Sequence, residues 1–206
     1  LVTRSSVDEL SGGLTNRNLK ITTPNGDFVA RISSNKSALL SIDRNAEYEN
    51  SKIAADIGIG APVYDFLPQS GLLVIGYLPG KTFNSQDVAS NLGRVAKSVK
   101  QLHSARPFVS DFDMFIIQQN YLKIVSEHGF KMPANYLDYI DALSQMKKAL
   151  SVLDEGKVAC NNDLLAANFI DDGQKIWIID YEYSGNNDAC FELGNIYSES
   201  NLSYDQ

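Results

Sequence analysis

Three side chains toward the end of the chain carry the clearest chemical signal. Cys160-Asn161-Asn162-Asp163-Leu164-Leu165-Ala166-Ala167-Asn168 sets an Asp five residues ahead of an Asn, and Ile178-Ile179-Asp180 places a second Asp behind an apolar run. This set suits phosphoryl transfer. Asp163 would accept or orient the proton of a substrate hydroxyl. Asn168 and Asp180 would offer the hard oxygens that Mg2+ needs, with nucleotide phosphates and water completing its octahedron. Taken alone, Asp-x4-Asn also describes a loop and hairpin capped by Asp and Asn side chains. The apolar strand ending in Asp180 and the layout upstream favour the chemical reading.

That layout is β-rich first and helical afterwards. Leu19–Thr22 and Phe28–Ile32 are short strand-like runs around the turn formers Pro24-Asn25-Gly26-Asp27, which predicts a hairpin. Residues 46–57 have helical spacing, with Ala46, Ile53, Ala54 and Ile57 on one face and Gly58, Gly60 and Pro62 as the stop. Val63–Leu67 and Leu72–Tyr77 read as two further strands. After Pro79-Gly80 the pattern turns helical over 85–103, 112–128 and 136–153. Asp171-Asp172-Gly173 then marks a short hairpin turn between Phe169–Ile170 and Lys175–Asp180. An α+β, bilobal organisation is predicted, with a small antiparallel sheet in residues 1–78 and a mostly helical second lobe in 79–206.

The chain has 206 residues, 44% of them hydrophobic and 21% charged, which is ordinary for a globular protein. No apolar run is long enough to span a bilayer, and the first residues lack a basic segment followed by an apolar stretch, so a cytoplasmic protein is expected. A net charge of -7 argues against non-specific nucleic-acid binding. It suits a cationic small substrate, or simply solubility. Two cysteines, Cys160 and Cys190, make no disulfide framework and read as buried apolar residues. With only His103 and His128 beside them, a structural zinc site is not expected. Oligomeric state is not legible.

Cys160–Ile170 together with Ile178–Phe191 resembles the catalytic and metal-binding segments of the choline/ethanolamine kinase family, bacterial type, within the protein-kinase-like fold shared with aminoglycoside phosphotransferases. The run Asp180-Tyr181-Glu182-Tyr183, followed by Asn187, Phe191 and Asn195, carries the resemblance, and Ser11–Asn16 and Ala105–Phe115 extend it over nearly the whole chain. It implies ATP and Mg2+ as cofactors and a small amino alcohol as acceptor, choline first and ethanolamine second. Thiamine and aminoglycoside kinases share the same core, and a pseudokinase that binds nucleotide without turnover is a further alternative. Asp163 resembles the catalytic Asp; Asn168 and Asp180 resemble the metal ligands. Glu182 would position substrate or loop, or be a structural acid. Gly12 and Gly13 would let backbone N–H groups approach phosphates, with Thr15 or Asn16 supporting the loop; an ordinary Gly-Gly turn is the other reading. Arg31 stands where kinases usually carry a phosphate-contacting Lys, held by Glu47. Glu49 rivals Glu47, but the two point about 200° apart on a helix, and Glu47 follows Arg44 at the family's spacing. Tyr77-Leu78 would form the hinge that meets the adenine edge, or an ordinary connection. His103 would cap or pack at a helix end.

Two departures from the family pattern stand out. The residue two before Asp163 is usually His and is Asn161 here, a shorter hydrogen-bonding group with no positive form. The resemblance also implies helices beyond Gln206 that would supply part of the substrate pocket, including acidic and aromatic groups suited to a quaternary ammonium.

Overall fold

The computed structural model describes residues 6–10, 16–33, 39–153 and 156–206. Five antiparallel strands form the first sheet: β1 (Ser6–Leu10), β2 (Asn16–Thr23), β3 (Gly26–Ser33), β4 (Val63–Leu67) and β5 (Leu72–Gly76), in the order β1-β2-β3-β5-β4. β2 and β3 are the predicted hairpin. Register sets the faces: Asn18 opposes Arg31 and Lys20 opposes Val29, and opposed residues share a face.

Helix α1 (Arg44–Asp56) packs against β4, with Tyr48 stacked on Phe66. It begins two residues earlier than its apolar pattern, because the Asp43 carboxylate accepts the Asn45 and Ala46 N–H groups at 2.9 and 3.1 Å. Its buried face is half polar: Glu47, Asn50 and Ser51 join Ala46, Ile53 and Ala54. Asn50 Nδ2 donates to the Ser184 carbonyl and hydroxyl, while its Oδ1 accepts from Val109 N–H, so this face docks onto the loop that follows Asp180.

Beyond Tyr77 the chain passes through β6 (Lys81–Thr82) into the helical part. The predicted helix over 85–103 is two helices, α2 (Ser85–Ser90) and α3 (Leu92–His103). Asn91 divides them: its Nδ2 bonds back to the Asp87 carbonyl, and its own carbonyl accepts Arg94 and Val95 N–H. Arg94, at the start of α3, then makes a bidentate pair with Asp171 at 2.5 and 2.6 Å. Val95, Val99 and Leu102 form the buried stripe of α3 and pack with Ile53, Leu164 and Ile178 in the main core.

Helix α4 (Met114–His128) starts later than its pattern because Asp113 caps it, and Gly129 ends it with φ 63°. The predicted helix over 136–153 is α5 (Ile140–Leu150) with a 3-10 turn at each end. β7 (Val158–Cys160) pairs with β10 (Gly185–Asn187); β8 (Phe169–Asp171) and β9 (Ile176–Ile178) form the predicted second hairpin, with β6 against β8. Gly80 has no room for a side chain: a Cβ would lie 2.5 Å from the Asp171 carbonyl oxygen. Close backbone approach therefore fixes the connection leaving the first sheet against the second hairpin. α6 (Ala189–Glu199) closes the described chain. The whole is α+β. Among the described residues no helix is long and apolar enough to cross a membrane.

Candidate active site

The three chemical residues converge through backbone geometry. Asn168 sits in a 3-10 turn (Ala166–Asn168) just before β8. Its carbonyl accepts Ile179 N–H at 3.0 Å, which draws the segment carrying Asp180 alongside, and its Nδ2 donates to the Asp163 carbonyl at 2.8 Å. That second bond leaves Oδ1 as the Asn168 atom able to take a cation. Asp180 lies two residues beyond β9 rather than at its end, with φ 64°. Asn162 is also left-handed, at φ 65°. Such backbone costs about 1 kcal/mol or more per non-glycine residue, and Asn and Asp tolerate it best.

Several buried side chains hold the loop in this shape. Asn161, fully buried, donates through Nδ2 to the carbonyls of Ile179 and Asp180 at 3.2 and 2.9 Å, and its Oδ1 accepts Asp163 N–H. The Asn at this position thus ties both acidic segments together. Asn162 Nδ2 donates to the Tyr183 carbonyl and its Oδ1 accepts from Asn187. From α6, Glu192 Oε1 accepts the N–H groups of Asn161 and Asn162 at 2.6 and 2.9 Å, its Oε2 meets His103 Nε2 at 2.5 Å, and Asn195 Oδ1 accepts Leu164 N–H at 2.6 Å. His103 is therefore held at the back of the loop. Sequence reasoning passed over Glu192, whose signal is a carboxylate one turn before Ile196, with which it shares the buried face of α6. Cys160 is buried as expected, but Cys190 is exposed, which corrects the expectation. It lies about 200° around α6 from Glu192, so it faces outward.

Asp163 sits in a negative setting. Burial, then the charges of Asp180, Glu182 and Glu199, push its carboxyl up to about 6. Tyr183 is close enough to feel Asp163 and is hydrogen-bonded to Tyr121. Burial, with these neighbours, raises its hydroxyl well above the ordinary value. Tyr121, on α4, donates to the Leu40 carbonyl. Tyr183 and several acids thus lie near the Asp163 carboxylate.

Arg31 is 7% exposed and meets three carboxylates: Glu47 at 3.0 Å, Asp180 at 2.5 Å and Glu182 at 3.2 Å. Burial works against its charge, but Asp180, Glu47 and Glu182 outweigh it and hold the guanidinium protonated beyond its ordinary range. Glu47 is thus the acid that faces Arg31, while Glu49 pairs with Lys52 at the surface. Arg44 binds the same two glutamates, Glu47 at 2.6 Å and Glu182 at 3.2 Å, and donates to Asn16 Oδ1 at 3.1 Å. Asn16 Nδ2 in turn donates to Glu182. Glu182, 8% exposed, is a member of this buried network. Tyr77 N–H is spent on the Asp27 carbonyl at 3.0 Å, and Leu78 is buried. Gly12, Gly13 and Thr15 lie outside the described residues.

The Choline/ethanolamine kinase family model matches residues 7–206. The chain belongs to the choline/ethanolamine kinase family. Protein LicA of Haemophilus influenzae is 29% identical over 201 residues, covering 93% of this chain and 58% of that protein. The choline kinase LicA structure from Streptococcus pneumoniae aligns with a TM-score of 0.86 at 28% identity, over 97% of this chain and 71% of that one. A structure of LicA in complex with AMP aligns at 0.84 and 26% identity, over 100% of this chain and 72% of that one. The chain thus spans less than two thirds of the Haemophilus protein. These matches fix the fold of this family member as the bilobal, protein-kinase-like one, with an antiparallel sheet leading a helical lobe.

Proposed function

We propose that this family member transfers the γ-phosphoryl group of ATP, with Mg2+, to the hydroxyl of a small amino alcohol, choline first and ethanolamine second. One observation carries the reading: Asp163, Asn168 and Asp180 are locked to one another by the Asn168 backbone and side chain. Residues 1–78 act as the nucleotide lobe and 79–206 as the lobe bearing the catalytic loop. The relatives' names, a choline kinase and a complex with AMP, support the acceptor and the nucleotide.

The donors fit a hard cation: a carboxylate on Asp180 and an amide oxygen on Asn168, with no soft ligand beside them among the described residues. When bound there, Mg2+ would neutralise charge on the phosphates. Asp163 orients the acceptor hydroxyl and takes its proton. The hydroxyl oxygen bonds to the γ-phosphorus as the bond to the β–γ bridging oxygen breaks, and ADP leaves. Arg31 supplies positive charge to the phosphates, with Glu47 holding it. Gly12, Gly13 and Thr15 are the residues we assign to phosphate binding, from the sequence alone. Because Tyr77 N–H is already used, the adenine edge meets the Tyr77 carbonyl and the Leu78 backbone. Tyr183 and Glu199 favour a cationic acceptor, through an aromatic ring and negative charge near the reacting hydroxyl. Glu182 acts by holding the two arginines rather than by touching substrate.

The test is Mg2+-dependent ADP release against choline, ethanolamine, thiamine and an aminoglycoside, with Asp163→Asn as control. Turnover stimulated by an amino alcohol and lost in the variant is expected. ATP binding with no turnover on any acceptor would replace this reading with nucleotide binding alone.

A further inference from the structure

Arg31 has two claims on it. The proposed chemistry needs it at the phosphates, yet here its guanidinium is taken up by Glu47, Asp180 and Glu182. Asp180, in turn, must be given up if it is to hold a cation. If Arg31 turned from the glutamates, two carboxylates 4% and 8% exposed would each lose a guanidinium partner. Breaking a buried pair that way is strongly unfavourable.

Arg44 resolves the conflict. It takes Glu47 through the oxygen Arg31 does not use, Oε2, and shares Oε2 of Glu182 with Arg31 and Asn16. Both glutamates are bridged by two guanidinium groups, so when either arginine loosens the other still pairs with both. We infer that Arg44 is a positioning residue for nucleotide: it holds Glu47 and Glu182 so that Arg31 can turn from Asp180 to the phosphates. This rests on the functional reading above. Arg44 touches neither phosphate nor acceptor in this role; it acts through Arg31.

The charge count makes the inference specific. Among the described residues two guanidiniums face these three carboxylates; without Arg44 one faces them. Arg31 would then be held by the glutamates, and the local field would repel an anion while still favouring a cation. Arg44→Met should therefore weaken ATP binding about tenfold in EDTA, and by less, about threefold, in excess Mg2+, because a cation at Asp180 restores part of the lost charge. Arg44→Lys, which keeps the charge, should return affinity to within about threefold of the parent in both media. Arg44→Gln provides the same comparison with a side chain that still hydrogen-bonds, should Met not fold.

The experiment is calorimetric titration of the protein with ATP, in EDTA and in Mg2+, alongside thermal melting. A tenfold loss in EDTA that narrows in Mg2+ and is restored by Lys supports the inference. Unchanged ATP affinity in the charge-removing variants overturns it. So does an equal loss in both media that tracks a lowered melting temperature, because that is a structural ion pair and nothing more. Failure of the unaltered protein to bind ATP in either medium would overturn the functional reading itself, and this inference with it.

Discussion

Asp163→Asn removes a charge that folding buries among other acids. The Asp163 carboxyl is raised from 3.8 to about 6, first by burial and then by Asp180, Glu182 and Glu199. A shift of that size corresponds to about 3 kcal/mol at 1.36 kcal/mol per unit. The carboxyl keeps some solvent contact, so screening reduces this to roughly 1–2 kcal/mol. The sign follows from proton binding. Between about pH 4 and pH 6 the folded chain binds more protons here than the unfolded one, so the ionised group lowers stability increasingly across that window. Below it the penalty is absent, and above it complete. Among the described residues no hydrogen bond is made to this carboxylate, so the amide forfeits none. Urea unfolding at pH 8 should show the variant more stable by about 1–2 kcal/mol, with roughly half the gain left near pH 5. The same protein should lack turnover. Equal stability of the two proteins at pH 8, or a gain that does not shrink toward pH 5, would refute the account of Asp163 as a destabilising catalytic group.

Two further substitutions test the scaffold. Asn161→Ala leaves the Ile179 and Asp180 carbonyls and Asp163 N–H without their present partner, so it should cost about 2–4 kcal/mol in urea unfolding. Turnover should fall about a hundredfold as Asp163 and Asp180 lose register. Gly80→Ala puts a Cβ 2.5 Å from a backbone oxygen and should lower stability by about 2–3 kcal/mol, whereas Gly93→Ala, with nothing within 4 Å, should raise it by up to about 1 kcal/mol in thermal or urea melts.

The strands and their hairpins were legible because turn residues and alternation are local signals, and β2, β3, β8 and β9 fall where those signals stand. Helix ends were less legible. Asp43, Asn91 and Asp113 each moved a boundary by capping with a side chain, and a cap competes with an apolar period that continues through it. Asn91 is the clearest case: periodicity from Val88 to Leu102 runs unbroken, yet the Asn91 side chain bonds back to the Asp87 carbonyl and the chain forms two helices. Of the site, Asp163, Asn168 and Asp180 could be named from spacing because loop chemistry fixes them within a short stretch. Three of the groups that hold the site could not. Glu192, Asn50 and Arg44 act across 31, 134 and 138 residues of sequence, on Asn161, Ser184 and Glu182 respectively.

Asn161 shows why that distinction matters for function. In the family pattern a His stands here, and its loss from the sequence suggests a weakened site. The structure gives Asn161 three hydrogen bonds to the backbone of both acidic segments, all from a neutral amide. A brace needs a donor and an acceptor at fixed separation, and Asn has both without titrating. The brace is therefore insensitive to pH between about 4 and 8, where an imidazole would change its donor count. Under the proposed function, the acid limb of activity should then follow the carboxylates, Asp163 first, and not the residue that holds them.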